Sequence, residues 1–472
     1  MKNARIVMSL SLLVLFATFG LAQKEHPLPK ELPPYGPVKP FSAPAVKTIQ
    51  LENGLTVWMV SRSGFPKVTA VLAVRGGLAA DPLSRPGLAE VLANALTQGT
   101  KTRSARQIAE QFQAAGGDLD ARATQDSIIL STSVLADKFE QALPVLVDVA
   151  SNASFPDAEV SIAKRSVADS LRQREADPSF LAGRAMAKVM FGDHPYSVVA
   201  PTQSAIDQTT PADLRQEFAR RFQPGQAVLV LVGPFESSAT ESTVRAAFAS
   251  WEPAPAAGVQ PTPNPEMNFQ RAIFFVPRAG SVQTTLRLAY PGPLRQDADY
   301  EAAQVANAVY GGMFGSRLTL NIREDKGYTY SPFATLRTYR SAGFLFTQVD
   351  VRNAVTGASL NEIDYELNRM ATVPPTETEL AQARRCLVGL QAINLQSSGG
   401  LAGDLANLWI NGLQPGEIAR HSEKLEKAAE AEVSAAARKY FAAAHSTVIA
   451  VGEEKVVRQE LQPFALEIKA AP

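Results

Sequence analysis

The sequence predicts an α+β fold built twice, two homologous domains that each pack helices on a mixed or antiparallel sheet. Three observations carry this. Strand-like and helix-like segments are mixed without the strict strand–helix alternation of a parallel α/β sheet. Glu159-Val160, Lys164-Arg165 and Val167 recur as Glu379-Leu380, Arg384-Arg385 and Leu387, offset by 220 residues at every matched position. Near the end of each half, the run Phe222 to Gly233 is echoed by Phe441 to Gly452, each an aromatic closing a helix, a short apolar strand and a glycine turn. A repeat of about two hundred residues is a duplicated domain, whereas solenoid periods run ~20–50 residues.

The elements follow in order. Residues 1–22 read as a secretory leader: Lys2 and Arg5 precede an apolar run from Ile6 to Leu21, and the small residues Gly20 and Ala22 stand at the −3 and −1 positions of a cut after Ala22. The run is shorter than the ~20 apolar residues of a spanning helix, so no membrane span is expected once the leader is removed. Residues 23–45 hold seven prolines from Pro27 to Pro44 and read as an extended arm. A first domain of about two hundred residues is expected at 46–251, a Pro-rich linker at 252–268 and a second domain at 269–472. In the first, strands at Val46–Leu51 and Leu55–Val60 flank Asn53-Gly54, read as a tight turn with φ > 0 at both residues. Another strand is placed at Val68–Val74. Helices are placed at Gly87–Leu96 and Ser104–Ala115, the latter with a serine N-cap and Gly116 past its end. Asp118–Thr124 and Ser127–Val134 alternate like half-buried strands. Helices follow at Asp137–Ser151, Asp157–Glu175 and Pro178–Phe191, and Thr210-Pro211 opens one more.

Composition excludes several classes of function. With 46% hydrophobic, 19% charged and 7% aromatic residues the chain is an ordinary globular protein. Lys+Arg and Asp+Glu are 46 each, which leaves no electrostatic footprint for nucleic acid or an anionic membrane. The single cysteine, Cys386, excludes an intrachain disulfide and reads as a buried core thiol. A periplasmic or secreted location is expected. No nucleophile elbow, phosphate loop or dinucleotide fingerprint occurs. The four histidines, His26, His194, His421 and His445, nowhere pair at metal-ligand spacing.

One segment has a recognisable shape: Gly87-Leu88-Ala89-Glu90-Val91-Leu92-Ala93-Asn94-Ala95-Leu96-Thr97-Gln98-Gly99-Thr100. It resembles the Gly-Leu-Ala-His-x-x-Glu-His…Gly-Thr helix of the insulinase/pitrilysin zinc metallopeptidases, the inverzincins, which include the mitochondrial processing peptidases. The resemblance extends over most of the chain after the leader, through Asn53-Gly54-Leu55, Gly192-Asp193-His194-Pro195-Tyr196, Thr209-Thr210-Pro211, Val232-Gly233 and Gly311-Gly312 to Tyr330. The family holds zinc by two histidines one helical turn apart and a glutamate from a later helix, with a second glutamate activating the bound water. Spacing i, i+4 brings two ligands onto one helix face. Here the matching positions are Glu90, Ala93 and Asn94, and setting Val167 to Pro178 against the family's later helix puts Ser170 in the third-ligand slot. The resemblance therefore implies no zinc and no catalysis by this chain alone. Glu90 by itself reads as a solvated charge on a helix face.

The second half keeps a different part of the family's equipment. Tyr310 to Tyr330 is similar to the Gly-rich loop and Ser-Arg-Leu helix, followed by an arginine and a tyrosine seven residues apart, here Arg323 and Tyr330. In relatives that pair lies across the cavity from the zinc and holds the peptide backbone. Guanidinium and phenol donors aimed at a carbonyl stabilise charge developing on its oxygen. Some bacterial members divide these duties between a zinc-bearing chain and one with only the Arg/Tyr pair. The resemblance implies the second kind: a noncatalytic subunit that grips unfolded peptide for a zinc-bearing sister chain. A purely structural or binding member of the family, with no part in proteolysis, is the alternative.

Overall fold

The computed structural model describes residues 42–253, 258–464 and 466–472. The leader at 1–22 and all but the last few residues of the arm at 23–45 lie outside the described residues. Residues 42–472 form one compact unit. Its first half runs β1 (Lys47–Gln50), β2 (Thr56–Ser61), β3 (Lys67–Arg75), α1 (Leu88–Leu96), α2 (Ala105–Ala114), β4 (Leu119–Ala123), β5 (Ser127–Leu135), α3 (Phe139–Asn152), α4 (Asp157–Glu175), α5 (Pro178–Phe191), α6 (Gln203–Gln208), α7 (Pro211–Arg221), β6 (Ala227–Gly233) and α8 (Ser237–Phe248). The second runs β7 (Ile273–Pro277), β8 (Gln283–Pro291), α9 (Tyr300–Asn307), two π-helical stretches at Ala308–Gly312 and Thr319–Asp325, β9 (Phe333–Tyr339), β10 (Ala342–Arg352), α10 (Thr356–Thr372), α11 (Glu377–Gln396), α12 (Ser398–Ile410), α13 (Glu417–Lys427), α14 (Glu430–Tyr440), β11 (Thr447–Gly452), α15 (Glu454–Leu461) and β12 (Ile468–Ala470).

The duplication is visible in the sheets. Each has six strands, ordered β1-β2-β6-β3-β5-β4 and β12-β7-β11-β8-β10-β9. In the first, β6 lies parallel to β2 and antiparallel to β3; in the second, β11 lies parallel to β7 and antiparallel to β8. These are the two apolar runs that echo each other in sequence, and every residue of both is buried because helices cover both faces. The helix pair α4–α5 and the pair α11–α12 begin at residues related by the same 220-residue offset.

Local chemistry explains the helix boundaries. Ser104 and Thr210 close capping boxes with Gln107 and Asp213, and Pro178 and Pro211 start their helices at the first turn, where no amide hydrogen is needed. The Asn53-Gly54 turn differs from the expectation. Only Gly54 has positive φ (92°), and the connection spans residues 51–55. Asn53 acts through its side chain instead, donating to the Phe248 and Trp251 carbonyls at 2.9 Å each and so tying the hairpin to the end of α8. Cys386 is half-buried on α11 rather than in the core, a helix whose Leu390 and Ile393 are also exposed.

Each sheet has one face on its own half's helices and the other on a helix from the opposite half. Ala182, Met186 and Met190 of α5 pack on Phe274, Phe344, Phe346 and Ile449 of the second sheet. In the mirrored position α12 lies on β3 and β6, where Arg75 stacks 4.0 Å over the Trp409 ring. A helix that is apolar on most sides needs such a sandwich to bury its surface. The halves also meet at Asp126, which accepts from Tyr196 Oη at 2.7 Å and from the Arg340 backbone at 2.9 Å. The described part of the Pro-rich stretch, 258–268, has neither helix nor strand; Val259 bonds to the Gln226 side chain and Asn268 N to the Met190 carbonyl. Among the described residues no helix is long and apolar enough to cross a membrane.

Candidate functional site

The helix α1 is held in place by a buried ionic network. Arg221, at the end of α7, is fully buried and donates to the Gly76 and Gly77 carbonyls at 2.6 and 2.8 Å, to Asp81 at 2.7 Å and to Glu217 at 3.0 Å. Asp81 in turn accepts from Ala89 N at 3.0 Å, satisfying a free amide in the first turn of α1. Burial pushes Asp81 up to about 6, against the pull of Arg221. The sequence reading missed this network, because nothing in local periodicity marks a helix-end arginine as buried.

On α1, Glu90 is not the solvated charge expected. Its side chain is only 21% exposed and is taken by Arg174 of α4, with contacts of 2.6 and 3.4 Å between the two forks. Packing of α4 against α1 strips water from this carboxylate, and burial raises its pKa while Arg174 opposes the rise. Arg174 also lies 5.5 Å over the Phe180 ring, and its Nε is buried with no partner among the described residues. Arg174 stands one turn beyond Ser170 on the same helix, so spacing alone places it on the face of the third-ligand slot. Ala93 is buried and apolar, while Asn94 and Ser170 are exposed. These residues do not fit a zinc ion: the one carboxylate already faces a guanidinium, and no water-activating base stands beside it. Among the described residues, no group of three or more His, Cys, Asp or Glu side chains could hold a metal.

The second-half residues converge. Arg323 lies in the π-helical stretch Thr319–Asp325, and its guanidinium sits between two rings, 4.6 Å from the centre of Phe314 and 4.6 Å from that of Tyr330. Phe314 is 69% exposed and Tyr330 79%, so the stack is presented at the surface. The ion partner of Arg323 is its exposed neighbour Glu324, at 3.2 Å. Tyr330 lies in the loop before β9, which begins only at Phe333. Its loop is nonetheless held: Gly327 N and Tyr328 N bond back to the Arg323 and Ile322 carbonyls, and Thr329 Oγ1 donates to the Asp350 carbonyl at 2.8 Å. Asn321 anchors the π-helix on α10 through Glu362 and Glu366. Arg317, 4% exposed, grips Glu379 of α11 with bonds of 2.7 and 3.0 Å. Phe314 was not singled out by the sequence reading, although it lies in the Gly-rich loop that flagged the region.

The profile described as "Insulinase (Peptidase family M16)" matches residues 56–198, and that described as "Peptidase M16 inactive domain" matches residues 208–387. Together they account for more than half of the chain. The chain belongs to the M16 peptidase family. Among curated M16 relatives, an uncharacterized zinc protease of Mycobacterium tuberculosis (strain ATCC 25618 / H37Rv) is 25% identical over 86% of this chain and 93% of its own length. One of Streptomyces coelicolor is 25% identical over 67% of this chain and 70% of its own. Among solved structures, a peptidase M16 inactive domain from Pseudomonas fluorescens superposes with a TM-score of 0.80 at 24% identity, covering 87% of this chain and 98% of that one. A protease from Helicobacter pylori gives 0.81 at 18% identity, covering 87% and 100%. These likenesses carry the fold: two mixed six-stranded sheets packed with helices.

Proposed function

We propose that this M16 member is a noncatalytic, substrate-gripping subunit of an exported zinc peptidase, completing the cavity of a zinc-bearing sister chain that cuts unfolded peptides. The observation that carries this is the contrast between its two halves. The slot on α1 is closed by the Glu90–Arg174 ion pair, whereas the Arg323–Tyr330 pair is preorganised at the surface, with Tyr330 exposed and the one ion contact of Arg323 made to its own exposed neighbour Glu324. A cation stacked on a phenol ring keeps its N–H edge available, and such donors act most strongly where a partner surface excludes water. The zinc, the base and the water belong to the sister chain; this chain binds no zinc and supplies hydrogen bonds and orientation. Relatives bearing the words zinc protease, together with the leader-like segment at 1–22, support a proteolytic and exported setting.

The test is a complex assembled with a sister M16 chain that carries an intact His-x-x-Glu-His helix. Loss of one oxyanion donor typically lowers rates ~10²–10³-fold. Arg323→Ala and Tyr330→Phe are each expected to leave assembly intact and slow hydrolysis at least about tenfold, Arg323→Ala more severely because a cation and several donors vanish together. Wild-type rates in both variant complexes, with assembly verified by light scattering, would instead make the chain a structural subunit.

A further inference from the structure

Away from Arg323, the second sheet carries two arginines, Arg287 and Arg337, with no carboxylate in ion-pair contact among the described residues; Asp350 and Asp177 act on Arg287 only through space. Arg287 of β8 stands opposite Gln348 of β10, and Arg337 of β9 stands opposite Phe344, so by strand alternation both emerge on the face that bears Phe346. Their guanidiniums lie 5.8 and 4.8 Å from the centre of the Phe346 ring. Arg287 is half-buried beside α5, where Gly183 leaves the room it needs; a Cβ there would stand 2.9 Å from Nη1. Its Nε is buried without a hydrogen-bond partner among the described residues. Arg337 is exposed at edge strand β9.

Burial and the neighbouring Arg337 charge both lower the pKa of Arg287, while Asp350 and Asp177 act in the other direction from a distance. Those two acids are engaged elsewhere. Asp350 accepts from Thr285 Oγ1, and Asp177 caps α5 by accepting from Ser179 N at 2.8 Å. Other arginines of this half, Arg295, Arg317 and Arg369, each have a carboxylate in contact. Crowding two cations around one buried ring, with a donor stranded, is unfavourable unless an anion is met there.

We propose that Arg287 and Arg337 form a subsite for a carboxylate of a bound peptide, namely an acidic side chain that reaches the two guanidiniums from the exposed β9 edge, beside the buried Phe346 ring. Planar guanidinium forks match a carboxylate's two oxygens. Acting from a distance, Asp350 and Asp177 offset only part of the positive charge of Arg287, which favours a monoanion over a divalent phosphate. The inference rests on the gripping role only in taking the ligand to be a peptide, and it is tested by binding to the chain alone.

Three fluorescent peptides of one unfolded sequence are titrated into the purified chain at low ionic strength: glutamates with an amidated C-terminus, glutamines with an amidated C-terminus, and glutamines with a free one. The glutamate peptide is expected to bind about tenfold tighter than its glutamine counterpart, as for one charge-assisted contact. Arg337→Gln, which removes the charge of an exposed side chain and is checked for unchanged melting, is expected to abolish that preference, and Arg337→Lys to retain most of it. Equal affinity for the glutamate and amidated glutamine peptides overturns the proposal. So does a preference that survives Arg337→Gln with unchanged melting, or one that follows only the free C-terminus. A complex whose turnover ignores Arg323 while the acidic preference holds sinks the gripping role and leaves this subsite standing.

Discussion

Replacing Arg317 by methionine probes the element that positions Arg323. Arg317 is 4% exposed and makes a two-pronged bond to Glu379 while donating to the Val373 and Pro374 carbonyls at 3.1 and 3.2 Å. Glu379 in turn closes the capping box of α11, accepting from Thr376 N at 2.7 Å. Methionine fills similar volume but leaves the carboxylate and two carbonyls without their donor. Breaking a buried pair from one side costs ~3–5 kcal/mol. The Glu379 side chain is 22% exposed, so some water reaches it and the lower end, about 3 kcal/mol, applies. Burial alone would raise the Glu379 pKa, yet Arg317 and Thr376 hold it down at about 2. A depressed folded-state pKa contributes stability that is present above the ordinary carboxylate value of ~4.3 and lost as pH falls toward 2. Urea unfolding of wild type and Arg317→Met should therefore show a gap of about 3 kcal/mol at neutral pH that narrows below about pH 4. A neutral-pH gap under about 1 kcal/mol, the size of an exposed pair, or one that widens in acid, would refute the reasoning.

Two further outcomes follow from the first half. Metal analysis of the purified chain is expected to find no stoichiometric zinc, since Arg174 already faces the one carboxylate of the slot; a tightly bound zinc in every chain would overturn the assignment of Glu90, Ala93, Asn94 and Ser170. Arg221→Met strands Asp81 and Glu217 in the interior and should cost ~3–5 kcal/mol, seen by calorimetry as a melting temperature lower by roughly 3–6 °C for the single compact unit. A shift within about 2 °C would mean that the network is not what holds α1.

Much of the fold was legible because its signals are local. The helices Asp157–Glu175 and Pro178–Phe191 run over the residues expected, the second opened by the Asp177 cap and a first-turn proline, and the alternating segments become β4 and β5. The duplication was readable from the echoed strands, since both are buried on two faces and so keep the same apolar run. The Arg323–Tyr330 spacing was legible for a different reason: both lie in one short segment whose loop is closed by its own backbone bonds.

What the sequence alone determined, then, was the composition of each element, the doubling of the domain and which residues, Glu90, Ala93 and Asn94, occupy α1. Tertiary structure decided the partners. Glu90 was misread as solvated because its burial is set by α4, more than eighty positions away, and Cys386 was misread as core because α11 exposes one apolar flank. Arg174 in the slot, Arg221 beneath α1, and Arg287 beside Arg337 on one ring are all meetings between segments distant in sequence. Periodicity records which face of an element is apolar; it carries no information on which charge a distant segment will place against that face, and that pairing decides whether a carboxylate is a ligand, a salt bridge or a solvated group.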